Sequence, residues 1–429
     1  MTTGKAADFR SIADYLFSLT PRGTKLGIDR MRPLAAALGN PERAVPCIHV
    51  AGTNGKGSVA AMLDAILRAA GWRVGLYTSP HLVHVGERVQ VNRQPLSEPQ
   101  IISFTQELEQ LSEKIVAASG PDDRPSFFEL MTAMAFLHFQ RSRCDVTVIE
   151  VGLGGEYDAT NVVEPEVSII NSIGLDHVEW LGSTIEQIAK AKAGIIKRNV
   201  PVVIGRLPSA AEQVVREVAQ SLAAPVFSVR ETFGEEIESY PSTSLAGIYQ
   251  RWNAATASLA ARCLGPQWRL NEAVVERGLH AVDWRGRWER REIGGRIVIL
   301  DASHNAEGAA VLERNLAELV AQYGRQPFVV VGALGADRAG PLIQAICRYA
   351  KELHLVVPAQ PRATPFEEME SLVPSGYAGS VRRAIVREIF PGGDICTLGK
   401  PDDVIVVTGS IYLLGEVLTQ LSAVSIPEN

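Results

Sequence analysis

The sequence predicts an α/β architecture in two parts, a doubly wound domain over residues 1–288 and a smaller Rossmann-like α/β domain over residues 289–429. Three observations carry this reading. Short β-branched runs alternate with segments of helical period, the pattern of a parallel sheet with crossover helices. A Gly-rich segment follows a strong strand and opens a helix. A second series of strand-like runs then begins near Gly294, after an Arg- and Gly-rich stretch, residues 285–295, where apolar periodicity lapses.

In chain order, Cys47-Ile-His-Val-Ala51 reads as a buried strand and Ser58 opens a helix. Val59, Met62, Leu63, Ile66, Leu67 and Ala70 form that helix's apolar stripe. Gly71 stops it, because a left-handed cap costs glycine least. Val74-Gly-Leu-Tyr77 completes a βαβ unit. Further strands are expected at 146–151, 167–173 and 200–204, with helices at 127–139 and 185–196 between them. Residues 228–244 are polar and weakly periodic, and read as a loop or a short antiparallel excursion. In the second part, strands are expected at 296–300, 328–331, 353–357 and 404–407, with a helix around 311–320.

A chain of 429 residues is long enough for two or three domains with real cores. Its 42 basic and 48 acidic residues leave a net charge of −6, so no basic excess exists to neutralise a nucleic-acid backbone. Aromatics at 6% also argue against a base-stacking platform. The five cysteines are scattered, odd in number and form no CxxC, which excludes a zinc knuckle and argues against a disulfide framework. No apolar run reaches the ~20 residues of a membrane span, and the polar start lacks a signal peptide's apolar core. A soluble, reduced, cytoplasmic protein is expected, without nucleic-acid or membrane partners.

The strongest local signal is Gly52-Thr53-Asn54-Gly55-Lys56-Gly57-Ser58, between strand and helix. Glycines let several backbone N–H groups face a phosphate, the helix N-terminus adds positive partial charge, Lys56 can reach terminal phosphates, and Ser58 can approach a metal. The strict GxxxxGK[ST] pattern fails, because Val50 and Gly57 occupy two of its positions. An ordinary Gly-rich turn is the alternative. In open parallel sheets, ligands bind beyond the carboxyl ends of the strands. Ser79, Glu150, Asp176 and His177 fall at such ends and could hold Mg²⁺ among waters. Taken singly, Glu150 could be a salt-bridge partner and His177 a neighbour of a helix cap.

These residues, read together, resemble the folylpolyglutamate synthase/dihydrofolate synthase branch of the Mur ligase family. The resemblance runs from Tyr15 to Glu416. It is carried by Gly23-Thr-Lys-Leu-Gly27, His49-Val-Ala-Gly-Thr-Asn-Gly-Lys-Gly-Ser58, Tyr77-Thr-Ser-Pro-His-Leu82 and Glu150-Val-Gly-Leu-Gly-Gly155. Asp158-Ala-Thr-Asn161, Ser172-Ile-Gly-Leu-Asp-His177, Lys192-Ala-Gly-Ile195, Gly286-Arg287, Asp301 with His304-Asn305, and Thr408-Gly-Ser410 extend it. It implies a Mur ligase-like fold, with a P-loop ATPase domain followed by a Rossmann-like ligase domain. The implied enzyme is monomeric and joins L-glutamate to a folate or dihydropteroate carboxylate at the expense of ATP.

By position, the resemblance implies that residues Gly52 to Ser58 cradle the phosphates of ATP. Ser79 and Glu150 would hold one Mg²⁺, with Ser58 close by, and Glu150 and His177 a second. Lys192 would be carbamylated and steady the second metal region; the sequence alone makes it a solvated helix lysine. Arg287 would balance charge on the transferred phosphoryl group, Asn253 would lie near the base, and Asp301 and His304 would reach the nucleotide. Asp301 and His304 could equally be a capping arrangement. Phe128 and Asp158 match pterin contacts, although Phe128 also fits an apolar helix stripe and Asp158 a turn cap.

The chain departs from the family pattern at several points. Glu156-Tyr157 replaces an Arg-containing pair, Ala191 stands where Glu commonly precedes the lysine, and Tyr249 stands where His precedes Gln250. Ala302, Ser303, Ala306 and Arg285 are further substitutions. None removes a phosphate, metal or carbamate residue, so an active enzyme is expected, its specificity open at Glu156. Two other readings remain: a Mur-type ligase for a non-folate acid, and a nucleotide-binding protein that has lost catalysis.

Overall fold

The computed structural model describes residues 8–19 and 28–422; the Gly23–Gly27 motif lies outside the described residues. The chain divides into two compact units. The first comprises residues 1–244 and 251–282, and residues 245–250 and 283–429 form the second.

The first unit is built on eight strands: β1 (Cys47–Ala51), β2 (Val74–Tyr77), β3 (Val89–Val91), β4 (Gln94–Pro95), β5 (Val146–Glu150), β6 (Val167–Ile170), β7 (Val202–Ile204) and β8 (Val226–Ser228). Their order is β4-β3-β2-β5-β1-β6-β7-β8. All neighbours from β2 to β8 pair in parallel, and β3 and β4 add an antiparallel edge. Strands β1, β2, β5, β6 and β7 are buried along their whole length, because helices cover both faces; this is why they read as continuous apolar runs without alternation.

The helix after β1, Lys56–Ala69, leads to β2 on one side of β1, whereas β6 is followed by elements leading to β7 on the other. The connections therefore wind outward in opposite directions from β1 and β6, and the carboxyl ends of these two parallel strands open the crevice where doubly wound sheets bind ligands. One core packs helices Phe9–Ser18, Ile28–Ala37, Glu98–Ser119 and Phe127–Arg141 on one side of the sheet. A second packs Ile185–Ala193 and Ser209–Ser221 against β6 and β7.

The second unit has six strands, β9 (Glu289–Ile293), β10 (Arg296–Asp301), β11 (Phe328–Val331), β12 (Glu352–Leu355), β13 (Ser380–Arg383) and β14 (Val404–Thr408). Their order is β13-β12-β11-β14-β10-β9, parallel except for β9. Its core lies between this sheet and helices Ala306–Tyr323 and Ala336–Cys347.

Two expectations need correction. Residues 228–244 hold a short helix, Val229–Phe233, and a 3₁₀ turn, Ile237–Ser239, instead of an antiparallel excursion; β8 before them pairs in parallel with β7. The stretch 285–295 contains strand β9, antiparallel to β10. Its Glu-Arg-Arg-Glu sequence hides it, because an edge strand with exposed charges has no apolar run to signal it. Among smaller shifts, the first phosphate-loop helix begins at Lys56, and β6 ends at Ile170. Among the described residues no helix is long and apolar enough to cross a membrane.

Helix Glu272–His280 lies against Lys56–Ala69 at Gly278, where an added Cβ would run into the backbone of Ile66. We expect Gly278→Val to destabilise the fold by about 1–3 kcal/mol through overpacking. Urea unfolding checks this; an unchanged midpoint contradicts the packing.

Candidate active site

The phosphate loop leaves the end of β1 and turns at Gly55, whose φ of 76° is left-handed. A Cβ there would enter the side-chain amides of Asn171 and Asn253, so glycine is required twice over. The residues just past β6 hold the loop in shape. Thr53 N donates to Ser172 O (2.8 Å), Asn54 N to Ser172 Oγ (2.8 Å), and Gly174 N to Thr53 Oγ1 (3.0 Å). That is why β6 stops early: 171–174 serve the loop in place of the sheet. Lys56 Nζ donates to Gly52 O (3.1 Å) and Thr53 O (3.2 Å). Ser58 lies in the first helical turn and is buried.

Lys192, on helix Ile185–Ala193, is also buried, and its Nζ donates to the same Gly52 O at 2.8 Å. The sequence alone made it a solvated lysine; the helix instead turns this side chain inward. Glu150 ends β5 and is buried, and its Oε2 accepts from Ser79 N at 3.1 Å. The parallel register that sets Tyr77 beside Ile149 and Val50 beside Glu150 brings these strand ends level. His177 has left-handed φ 50°, ψ 41°, caps the short helix Val178–Leu181, and donates its N–H to Asp176 Oδ1 (2.9 Å). Among the described residues no three His, Cys, Asp or Glu side chains gather as a metal site. The hydroxyls of Ser58 and Ser79 and the Glu150 carboxylate are hard oxygen donors of the kind that suits Mg²⁺ with retained waters, whereas the His177 imidazole is a less usual ligand for it.

Asp158 is buried, and its carboxylate accepts from Gly152 N (3.1 Å), Leu153 N (2.9 Å), Thr160 N (3.0 Å) and Thr160 Oγ1 (2.5 Å). Burial pushes its pKa up, against the pull of these hydrogen bonds. It thus caps the turn Ala159–Val162 and fastens the 152–153 backbone. Phe128 packs on that backbone, since its ring fills the place of a Cβ on Gly152, and it meets the Tyr77 ring at 6.1 Å.

Thr160 gives its only proton to Asp158, so it must accept from His49 Nε2 (2.8 Å). His49 is therefore the Nε2–H tautomer, and burial pushes its pKa down to about 3.

In the second unit, Asp301 ends β10 and is buried. Its Oδ1 accepts from Trp288 N (3.1 Å) and Tyr249 OH (3.4 Å), and its Oδ2 from Ser303 N (3.3 Å) and Ser303 Oγ (2.5 Å). Burial, with Asp301 alongside, holds the Tyr249 phenol far above its usual pKa, so it stays a donor. Trp288 and Gly286 both have left-handed φ, and Ala302 N donates to Gly286 O (3.1 Å). Arg287 is thereby held between two anchored neighbours. His304 Nδ1 donates to Ala302 O (2.9 Å), and Asn305 caps helix Ala306–Tyr323 through Gly308 N.

Residues 50–229 match the model of the Mur ligase middle domain. The dihydrofolate synthase/folylpolyglutamate synthase of Bacillus subtilis (strain 168) is 33% identical over 437 residues, covering 93% of this chain and 96% of that protein. The chain belongs to the folylpolyglutamate synthase/dihydrofolate synthase family. The solved structure of E. coli FolC in complex with DHPP and ADP superposes with a TM-score of 0.81 at 28% identity, covering 97% of this chain and 98% of that one. The Yersinia pestis bifunctional folylpolyglutamate synthase/dihydrofolate synthase, complexed with AMPPNP and Mn ion, gives 0.80 at 28% identity, with 98% and 100% covered.

Of the residues singled out from the sequence, this family member joins Gly52, Thr53, Lys56 and Lys192 through shared carbonyls. Ser79 and Glu150 meet directly, as do Phe128 and the loop that Asp158 holds. Asn253 meets the phosphate loop through Asn171. Two departures noted separately in the sequence prove to be neighbours: Glu156 N donates to Ala191 O (2.9 Å). Both line a cavity of about 240 Å³, with Tyr157, Trp180 and Lys190.

Sequence reasoning assigned no role to His49, Asn171, His81 or Arg88. Asn171 lies at a strand's carboxyl end, and that rule could have found it. His81 and Arg88 are joined, Arg88 Nε donating to His81 Nδ1 (2.9 Å), and burial with that cation pushes His81 down to about 3.

His49 carries a pH signature. Its folded pKa lies below the ordinary value of 6.5, so its contribution to stability is complete above about pH 6.5 and is lost as pH falls toward 3. We expect His49→Gln, which can still donate to Thr160, to flatten the acid limb of stability by about 1.4 kcal/mol per pH unit in that window. Urea unfolding at a series of pH values checks it, and an unaltered slope contradicts it.

Proposed function

We propose that the chain is an ATP-dependent ligase that adds L-glutamate to the carboxylate of dihydropteroate or a folate. The observation that carries this is the convergence of Lys56 and Lys192 on one carbonyl of a strand-end phosphate loop, next to Ser79 and Glu150. The relatives' names and their nucleotide, DHPP and Mn complexes support it.

A carboxylate is a poor electrophile. Its oxygen attacks the γ-phosphorus of ATP, ADP leaves, and an acyl phosphate forms. The glutamate amine then attacks the acyl carbon, loses a proton and expels phosphate. The protein supplies mainly positioning and charge neutralisation. The backbone of Gly52, Thr53, Asn54, Gly55 and Gly57 receives the phosphates, and Lys56 neutralises charge on the terminal ones. Ser58, Ser79 and Glu150 would hold a first divalent cation, and Glu150, His177 and Lys192, if carbamylated, would hold a second. When bound, these cations spread the charge of the transferred group. Asn253 serves the base, Arg287 the transferred phosphoryl group, and Asp301 and His304 the nucleotide. Phe128 and the loop fastened by Asp158 receive the pterin. All five cysteines are free thiols, which fits the reducing cytoplasm we assign, and we read the working unit as a monomer.

The test is a ligation assay with Mg-ATP and L-glutamate, offering dihydropteroate and tetrahydrofolate separately and weighing the products. We expect one added glutamyl residue on at least one acid, phosphate released in equal amount, and loss of both with Lys56→Ala in a folded protein. Turnover by Lys56→Ala near the parent's rate would overturn the phosphate site; no product on either acid would point to a non-folate acid.

A further inference from the structure

Asn171 stands one residue beyond β6, and nothing in the phosphate-binding pattern assigns it. Its backbone is fixed, since its N–H donates to Ala51 O (2.9 Å) and Gly205 lies so close that a Cβ there would meet its carbonyl. The side chain is buried, and so is that of Asn253, on helix Tyr249–Cys263.

The amide nitrogen of Asn171 donates twice, to Asn54 O in the phosphate loop (3.0 Å) and to Asn253 Oδ1 (2.9 Å). These bonds fix both amides. A backbone carbonyl only accepts, so the Asn171 end facing Asn54 must be its NH₂. The Asn253 end facing that NH₂ must then be oxygen. Both amides press on Gly55, leaving no room for a Cβ. Loop, strand end and helix are thus locked through a single NH₂ group.

We propose that Asn171 is a positioning residue of the nucleotide site, setting the orientation of Asn253 and the shape of the 54–55 turn together. This rests on reading Asn253 as a nucleotide contact. Asn171 touches neither phosphate nor base; it acts through the two groups it holds. Losing it removes the bond that orients the Asn253 amide and one of the two donors to Asn54 O, the other being Ser172 Oγ, so nucleotide affinity falls while the pterin side is unaffected.

The test uses the full chain and Mg-ADP as the probe, with calorimetric Kd, KM for ATP and for dihydropteroate, and Tm. Asn171→Ala removes the amide. Asn171→Asp keeps its shape but has no N–H to donate, and it serves if the alanine variant folds poorly. Both are expected to raise the ADP Kd and the ATP KM about 10-fold, the loss of one to two buried hydrogen bonds, with the KM for dihydropteroate unchanged. With Asn253→Ala added, the combined loss should fall well short of the product of the single losses, because one side chain acts through the other. A lower Tm with an unchanged ADP Kd makes Asn171 merely structural and overturns the proposal, as does a fully multiplicative double variant. If Asn253→Ala itself leaves ADP binding intact, the nucleotide reading of Asn253 falls and the proposal falls with it. Failure of Asn171 alone leaves that reading standing.

Discussion

The carbonyl oxygen of Gly52 accepts a hydrogen bond from Lys56 at 3.1 Å and from Lys192 at 2.8 Å, so two lysine Nζ atoms are held no more than about 6 Å apart. The protein places a buried carboxylate, Glu150, at a neighbouring strand end. The rest of the first unit serves this convergence. Strand β1 lies between β5 and β6, so the loop at its end faces Glu150 on one side and residues 171–174 on the other. A loop whose donors are already held in shape needs no reorganisation when a phosphate arrives.

Much of this was legible because the strands are buried on both faces and the helices carry full apolar stripes. Cys47–Ala51, Val74–Tyr77 and Val404–Thr408 announce themselves as unbroken β-branched runs. Strand β9 does not, because its exposed face is Arg and Glu, and β13 is exposed along its length, so packing leaves no mark on its sequence. Strand β6 stops short of its apolar run because the residues beyond it bond to the phosphate loop, a tertiary demand that local periodicity does not encode.

The site was legible in residue identity more than in residue role. Lys192 shares the buried face of its helix with Ile188 and Ala189, so its burial was open to the period of that helix, but its bond to Gly52 O was not. Asp158 and Asp301 each looked like a ligand contact or a cap, and each carboxylate is engaged by four donors of its own chain. Both hold backbone, Asp158 at 152–153 and Asp301 at Trp288, next to Arg287. Glu156 and Ala191 looked like two separate departures. Their backbone contact makes them one local change in the wall of a single cavity, where an acid and Lys190 now face solvent together.

In the proposed mechanism the acid is activated by direct phosphoryl transfer at the Gly52 loop. Dihydropteroate labelled with ¹⁸O in its carboxylate tests it: after turnover with ATP and L-glutamate, the released phosphate is weighed. Acyl-phosphate chemistry predicts one ¹⁸O per phosphate, matched to one new amide. Phosphate free of label would mean that water takes the phosphoryl group, and it would contradict a ligase mechanism at this site.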